Sequence, residues 1–164
     1  LRTTFELPLR GADVISYFQE FGKEFLLIGG GNEAGLREGD VVLDQHGFVV
    51  GFVHEVRDAF AKVSIASNAG MTHEAEIIPG STRVLAKSIG ARTFLLELLP
   101  ADAAVRTGDF VGVAQSVAGV RRIFLLAELR KSTERPGNIF REAHAVLVAR
   151  PETLATVFVI SLPR

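Results

Sequence analysis

The sequence contains no cysteine. Without a thiol, the chain cannot form a disulfide, bind a metal through thiolates or use a cysteine nucleophile. The absence does not assign the chain to a compartment, because many exported bacterial proteins also lack cysteine. Stability must come from apolar burial, and a chain of 164 residues that is 48% hydrophobic can fill a core.

The chain also lacks an excess of either charge. Lys and Arg together number 18 and Asp and Glu 19, which leaves a formal net charge of −1. Binding to nucleic acid depends on an excess of Lys and Arg, so this composition argues against a nucleic-acid partner. Arg121, Arg122 and the cluster "RKSTERPG" (130–137) are interpreted first as solvated turn charges, and second as a contact to an anionic polymer or lipid headgroup.

Long hydrophobic runs are missing as well. The longest apolar stretches are "TFLLELL" (93–99) and "LATVFVI" (154–160), whereas a membrane helix needs about 20 apolar residues. The sequence therefore predicts no membrane-spanning segment. Because it begins at Leu1 without a Met or a signal peptide, we expect it to be a soluble part of a longer protein.

Short apolar runs separated by turn residues recur along the whole sequence. Examples are "DVVL", "AKVSI", "RVLA", "DFVGVA" and "TVFVI", with glycines at the breaks. "AKVSI" alternates cleanly, so Lys62 and Ser64 are predicted to face solvent. The pattern predicts an all-β protein of small barrels or sandwiches, since a parallel sheet would need helical crossovers of a dozen residues.

Only one segment has a residue pattern compatible with an α-helix. Val14, Phe18, Phe21 and Phe25 recur at helical spacing after a possible N-cap at Asp13, although a glycine interrupts the pattern. A β-hairpin explains the same residues equally well. We therefore expect at most one short N-terminal helix.

A short pattern occurs twice, as "GLREGDVV" (35–42) and "AVRTGDFV" (104–111). In each copy the Gly can adopt the positive φ of a tight turn, and the Asp can bond nearby backbone before a strand begins. Two such entries, each followed by several strands, predict two small β-barrel modules. Their predicted bounds are residues 11–79 and 80–162, with the break at "IPGS" (78–81).

Gly29, Gly31 and Ala34 in "IGGGNEAG" have the G-x-G-x-x-A spacing of a dinucleotide-binding loop. Such a loop must open an α-helix whose first amides and dipole meet the pyrophosphate, whereas two more glycines and a strand follow here. A turn that enters the first barrel is the favoured interpretation, and we expect no cofactor.

No pattern of catalytic or metal-binding residues is complete. Ser116 and His54 invite comparison with a serine hydrolase, because paired β-barrels also carry the chymotrypsin-like proteases, but "AQSVAG" lacks the Gly-Asp-Ser-Gly context of an oxyanion hole. The histidines His46, His54, His73 and His144 lie on separate segments and form no His-Glu-x-x-His helix. We predict no catalytic residue and no metal site.

The stretch "HGFVVGFVHEV" (46–56) carries apolar side chains on both faces of a predicted hairpin. Apolar residues on the outside of a barrel indicate a partner or a neighbouring barrel. Phe48, Val49, Phe52 and Val53 are therefore the predicted partner-binding residues. The alternative is that the second module covers them.

Taken in order, these segments resemble the β-rich portion of the rod shape-determining protein MreC family. The resemblance covers about residues 14–160 and rests on the Gly-rich entry, the two Gly-Asp turns and three further segments, "GFVVGFV" (47–53), "LELLP" (96–100) and 148–159. One stretch departs from the family pattern. "QSVAGVRRIFLLAEL" (115–129) lacks the proline-containing turn found after the second strand, so a loop of different shape is expected there.

The resemblance implies a non-catalytic scaffold of the bacterial cell-wall elongation machinery that is involved in cell shape. It implies two small β-barrels on the extracytoplasmic, periplasmic side of the cell membrane, anchored through a segment absent from this chain. The implied partners are class B penicillin-binding transpeptidases, other shape-determining membrane proteins and further copies of the same chain. The alternative is an unrelated all-β carbohydrate- or peptide-binding module.

Overall fold

The computed structural model describes residues 8–134 and 136–161, which contain β-strands, two 3-10 turns and no α-helix. The all-β prediction is confirmed, and no helix in the described ranges has the length and apolar character needed to cross a membrane. The strands are β1 Leu9–Glu20, β2 Lys23–Gly29, β3 Val41–Leu43, β4 Val49–Val56, β5 Phe60–Ile65, β6 Thr72–Ile78, β7 Thr82–Gly90, β8 Thr93–Pro100, β9 Phe110–Val117, β10 Val120–Thr133, β11 Phe140–Leu147 and β12 Thr156–Ile160.

The N-terminal segment is a β-hairpin rather than a helix. β1 and β2 pair antiparallel with Glu20 opposite Lys23, and φ is positive at both turn residues, 52° at Phe21 and 77° at Gly22. Two positive values are characteristic of a type I′ turn, whose twist matches that of the flanking strands. The apolar residues at helical spacing therefore lie on two paired strands.

The strands close into two six-stranded barrels through antiparallel pairing. In the order of hydrogen-bonded neighbours, the first barrel is β1, β12, β3, β4, β5 and β2, and the second is β10, β11, β8, β7, β6 and β9. Closure gives every strand two neighbours, so neither sheet has a free edge. The prediction of two small β-barrels is confirmed.

The assignment of strands to barrels differs from the predicted modules 11–79 and 80–162. The predicted break separates β1–β6 from β7–β12, and the two halves have equivalent pairings. However, β6 pairs with β7 and β9 in the second barrel, while β12 pairs with β1 and β3 in the first. Each half thus contributes its sixth strand to the other barrel. Alternation of buried residues cannot foretell this exchange, because it identifies a strand's inner face and not its neighbour. Residue 162 lies outside the described ranges.

The repeated Arg-x-Gly-Asp motif occupies the same place in both barrels, directly before β3 and β9. In each copy the Asp carboxylate accepts a hydrogen bond from the backbone N–H of the Arg, at 2.9 Å from Arg37 to Asp40 and at 2.8 Å from Arg106 to Asp109. This bond closes the turn from the side chain, as Asp commonly does. The two copies therefore form the same side-chain-closed turn, once in each barrel.

The glycine of each motif has a φ that other residues rarely adopt, 90° at Gly39 and 97° at Gly108. Its N–H donates to the carbonyl of Val53 in β4 or of Leu129 in β10, at 2.8 Å in both barrels. The N–H of the same strand residue donates back to the Asp carbonyl. Through these hydrogen bonds the motif pairs with the neighbouring strand before β3 or β9 begins.

Alternate side chains of the strands fill the barrel interiors. In β5, Ala61, Val63 and Ile65 are fully buried, while Lys62 and Ser64 between them are partly exposed, as the sequence predicts. Burial of a Val or Ile side chain stabilises a fold by about 1.5–3 kcal/mol. Repetition of this pattern in both barrels explains how a chain without cross-links remains folded.

The proline-free stretch that departs from the MreC pattern forms a tight hairpin. β9 ends at Val117 and β10 begins at Val120, with Ala118 and Gly119 between them at φ values of 51° and 76°. These values again indicate a type I′ turn. The stretch that departs in sequence therefore contains a two-residue turn.

Separate expression of fragments 1–79 and 80–164 tests the strand exchange. Neither fragment holds all six strands of a barrel, so we expect both to lack a cooperative thermal transition and dispersed NMR amide shifts. Fragment 70–150 is the matched control, because it contains β6–β11 and is expected to unfold cooperatively. A cooperative transition in either of the first two fragments alone would contradict the exchange.

Candidate partner-binding surfaces

Two of the four predicted partner-binding residues are core residues. Val49 is 0% and Val53 3% exposed, and both point into the first barrel. They are not available to a partner in this fold, so the expectation of an exposed contact surface does not hold for them. The physical reason is that this part of β4 is covered on both faces, since Val50, next to Val49, is also 0% exposed.

The two phenylalanines of the same hairpin lie at the junction between the barrels. The ring of Phe48 lies 5.7 Å from that of Phe110 at the start of β9, and Phe52 stacks on His73 of β6 at 5.4 Å. His73 in turn contacts Phe94 of β8 edge-on at 6.1 Å. The second barrel therefore covers this face, which is the alternative raised by the sequence. Phe48 and Phe52 nevertheless remain half-exposed.

His73 is a buried polar residue at the centre of the junction. Its Nε2–H donates to the carbonyl of Ala66 at 3.1 Å, and the hydroxyl of Ser88 donates to the same carbonyl at 2.9 Å. Burial lowers the pKa of His73, and the bond to Ala66 only partly offsets this effect. The imidazole is therefore held neutral and hydrogen-bonds the carbonyl of Ala66 in the β5–β6 connection.

Arg92 joins the barrels at another point of the junction. It lies in the β7–β8 turn, and its guanidinium bonds Glu24 of β2 at 2.7 Å and Glu152, in the 3-10 turn Pro151–Thr153, at 2.5 Å. Burial acts to raise the pKa of Glu24, but hydrogen bonds from Arg92 and Tyr17 outweigh it, so the pKa lies below its usual value. The hydrogen bond from Arg92 likewise lowers the pKa of Glu152, and the bonds to Glu24 and then Glu152 raise the pKa of Arg92. Charge-assisted, forked bonds of this kind fix geometry as well as add stability.

The glycine-rich loop is built as a turn and not as a phosphate cradle. After Gly31 the chain makes a single 3-10 turn, Asn32–Ala34, where a dinucleotide loop would open an α-helix. The first amides of this turn are already used, since Asn32 donates to the carbonyl of Arg57 at 2.7 Å and Glu33 to that of Asp58 at 3.0 Å. Gly31 is required because a Cβ there would collide with the carbonyl of Arg57.

The residues considered for catalysis and metal binding are not brought together. Ser116 lies on β9 of the second barrel and His54 on β4 of the first, where it packs beside Phe25. His46 is exposed in the β3–β4 turn, and His144 lies on β11. In the parts of the chain that the structure describes, no three metal-ligating side chains form a cluster.

The charged candidates serve as structural ion pairs. Arg121 bonds the largely buried carboxylate of Glu76 at 3.0 Å, and Arg83 approaches the same group at 3.7 Å. From the "RKSTERPG" cluster, Glu134 pairs with Arg141, and Arg135 lies outside the described residues. The interpretation of these charges as part of the folded surface is therefore preferred over an anionic ligand site.

The structure exposes large apolar side chains that the sequence did not single out as a surface. Phe21 at the β1–β2 turn is 97% exposed, and Leu98, Ile139 and Phe140 of the second barrel are 52%, 80% and 47% exposed. Monomeric proteins tolerate single exposed apolar residues, but clusters of them mark contact sites. No sequence motif identifies these exposed apolar residues, because their exposure depends on turns and on an irregularity in strand pairing.

Comparison with known proteins assigns the fold to a family. The family model of the rod shape-determining protein MreC, barrel core, matches residues 14–161. The chain belongs to the MreC family. The resemblance inferred from the Gly-Asp turns and hairpins is thus confirmed, and the alternative of an unrelated binding module is set aside. No curated protein matches the chain.

Solved MreC structures share the two-barrel fold at low sequence identity. The crystal structure of MreC from Pseudomonas aeruginosa is 19% identical, with a TM-score of 0.80 over 93% of this chain and 99% of that one. The major periplasmic domain of the cell shape-determining filament MreC is 19% identical, with a TM-score of 0.74 over 99% and 100% of the two chains. MreC in a complex with the penicillin-binding protein PBP2 from Helicobacter pylori is 10% identical, with a TM-score of 0.65 over 94% and 98%.

Removal of the Arg92 guanidinium should loosen the junction. We expect Arg92→Gln to lower the free energy of unfolding by about 2 kcal/mol, because two carboxylates lose a charge-assisted partner. For a domain of this size the melting temperature should fall by roughly 5 °C. Arg57→Gln removes an exposed ion pair with Glu55 at the end of β4 and is the matched control, with an expected change below about 0.5 kcal/mol. Equal losses in the two variants would contradict a special role for Arg92.

Acidification should weaken the fold through His73. A pKa lowered by folding means that the unfolded chain binds the proton more tightly, so stability is complete well above the ordinary pKa of about 6.5 and is lost as the pH falls below it. Between about pH 7.5 and pH 5 we expect wild type to lose more unfolding free energy than His73→Gln, which keeps a donor for Ala66. Urea unfolding at both pH values measures the difference. Glu24 and Glu152 contribute only at lower pH, because their pKa values are depressed. Parallel pH profiles for the two proteins would exclude His73 as the source.

Proposed function

We propose that this chain is the two-barrel part of a non-catalytic scaffold that binds a class B penicillin-binding transpeptidase in bacterial cell-wall elongation. Membership of the MreC family supports a role in determining cell shape. The solved complex of PBP2 and MreC from Helicobacter pylori supports a transpeptidase as the partner. The work of the chain is then to hold an enzyme in place and not to perform chemistry.

The observation that carries the proposal is the distribution of apolar side chains. The barrel interiors are filled and the sheet edges are closed, yet large apolar residues remain exposed on the outer surfaces. The hydroxyl of Ser116 and the imidazole of His54 lie in different barrels, and amides of the glycine-rich loop are bonded to carbonyls of the β4–β5 turn. An apolar exterior without an assembled catalytic group suits a protein-binding function.

The location and the further partners belong to the same proposal. The matched structure of an MreC periplasmic domain supports an extracytoplasmic position. Other shape-determining membrane proteins and further copies of the chain are proposed as additional partners. The proposed contact for a transpeptidase is the half-exposed pair formed by Phe48 of the predicted hairpin and Phe110 of β9, at the edge of the barrel junction.

Binding to the extracytoplasmic part of the cognate transpeptidase tests the proposal. We expect saturable binding of the purified chain by biolayer interferometry, and no hydrolysis of peptide or ester substrates by the chain. Phe48→Ser and Phe110→Ser should each weaken binding at least tenfold, because interface energy concentrates in aromatic anchors. Val120→Ser, which changes an exposed apolar residue in the β9–β10 hairpin, is the control and should bind as wild type. No binding at any accessible concentration would refute the scaffold, while wild-type binding by both Phe variants would place the contact away from the hairpin.

A further inference from the structure

An open cleft lies on the first barrel, where β12 begins beside the β3–β4 turn. It has a volume of about 400 Å³ and is lined by Gln45, Thr153, Leu154, Ala155, Thr156 and Phe158. Among these described residues none is charged, and they combine one aromatic ring with one amide and two hydroxyl groups. Binding sites for small molecules are commonly built from an apolar surface and a few placed polar groups. The cleft therefore has the composition of a site for a neutral ligand with both apolar and hydrogen-bonding faces.

Phe158 supplies the aromatic surface of the cleft. It pairs with Gly11 on the neighbouring strand β1, and a Cβ built at Gly11 would lie 3.8 Å and 4.0 Å from two atoms of the Phe158 ring. The ring therefore extends over the glycine, where β1 has no side chain of its own. A glycine within a strand often marks a place where a ligand approaches closely, and a cross-strand aromatic ring compensates for its missing side chain. Phe158 remains partly exposed, so part of its ring is open to the cleft.

Hydrogen-bonding groups lie around this ring. Gln45 and Thr156 are exposed where they line the cleft. A glutamine amide offers two donors and one acceptor group, and a threonine hydroxyl both donates and accepts. Asp13 lies opposite Thr156 in the pairing of β1 with β12 and adds a carboxylate beside that hydroxyl. Sugar hydroxyls also donate and accept, while the C–H face of a sugar ring packs on the electron-rich face of an aromatic ring.

The two sides of the cleft are fixed before any ligand binds. The carboxylate of Asp44 accepts two backbone hydrogen bonds, at 2.9 Å and 3.0 Å, across the turn that carries Gln45. On the other side, the hydroxyl of Thr153 donates to the carbonyl of Arg150 at 2.8 Å. The ion pair with Arg92 anchors the same 3-10 turn to the second barrel. Such preorganisation lowers the entropy cost of binding.

We propose that this cleft binds a neutral saccharide, with one sugar ring on Phe158 and its hydroxyls bonded to Gln45 and Thr156. A purely apolar ligand would leave the amide and the hydroxyl without partners, which costs binding energy. A phosphorylated ligand would meet no cation among the described residues that line the cleft, although phosphate is bound best by Arg or Lys. The inference goes beyond the proposed scaffold, because it gives the chain a small-molecule ligand in addition to a protein partner.

Titration of the isotope-labelled chain with tri-N-acetylchitotriose, a neutral trisaccharide, tests the cleft by two-dimensional NMR. We expect saturable amide shifts in residues 43–46 and 153–158, with a dissociation constant of about 1 mM. Gln45→Ala and Thr156→Val should each raise that constant about threefold to tenfold, because each variant removes one hydrogen bond. Thr72→Val removes an exposed hydroxyl at the start of β6 and is the matched control, with unchanged affinity.

Replacement of the aromatic ring gives the sharpest result. Phe158→Leu keeps an apolar side chain over Gly11 but removes the aromatic face, so the dissociation constant should rise at least about tenfold. Gln45→Ala lies in an exposed turn and keeps the test valid if Phe158→Leu unfolds. The absence of saturable shifts at about 10 mM trisaccharide, shifts confined to other residues, or wild-type affinity in Gln45→Ala would each overturn the proposal. Stronger binding of glucose 6-phosphate than of the trisaccharide at the same amides would overturn the assignment of a neutral ligand.

Discussion

Closure of the two sheets by exchanged strands is the constraint on which the rest of this structure depends. A six-stranded barrel satisfies all its backbone hydrogen bonds only when every strand has two neighbours, and in each barrel one strand comes from the other half of the chain. The barrels are thus joined by covalent connections at both exchange points, as well as by surface contacts. These connections keep the two sheets next to each other, although every backbone pairing lies within one barrel.

The junction side chains then restrict what freedom remains between the barrels. The aromatic and imidazole contacts around His73 lie beside the β5–β6 connection, and the carbonyl of Ala66 in that connection accepts two hydrogen bonds from the second barrel. Arg92 ties the β7–β8 turn to Glu24 and Glu152, close to the connection between β11 and β12. Each exchange connection is therefore held by polar bonds, so surfaces on different barrels can be presented to partners in a fixed arrangement.

The sequence predicted what depends on local pattern. Alternation in residues 61–65 identifies a strand and its inner face, and the two Gly-Asp turns identify equivalent entries into two barrels. The pairing of β1 with β12 could not be predicted from the sequence, because alternation of apolar residues does not show which distant strand is the neighbour. The same limit left open which face of the hairpin from Phe48 to Val53 would be covered. Arg92 belongs to no motif, and its role appears only when a turn of one barrel meets two carboxylates of the other.

The topology also sets the order in which the barrels can form during synthesis. The second barrel is contiguous, from Thr72 to Leu147, and all its strands are present once that segment has emerged. The first barrel must wait for Ile160, which pairs with Leu9 at the opposite end of the chain. Until then β1 and β3 each lack a neighbour, and unpaired strand edges are prone to aggregate. Within these residues, the unpaired edges of β1 and β3 are therefore the places most prone to aggregation until β12 has been made.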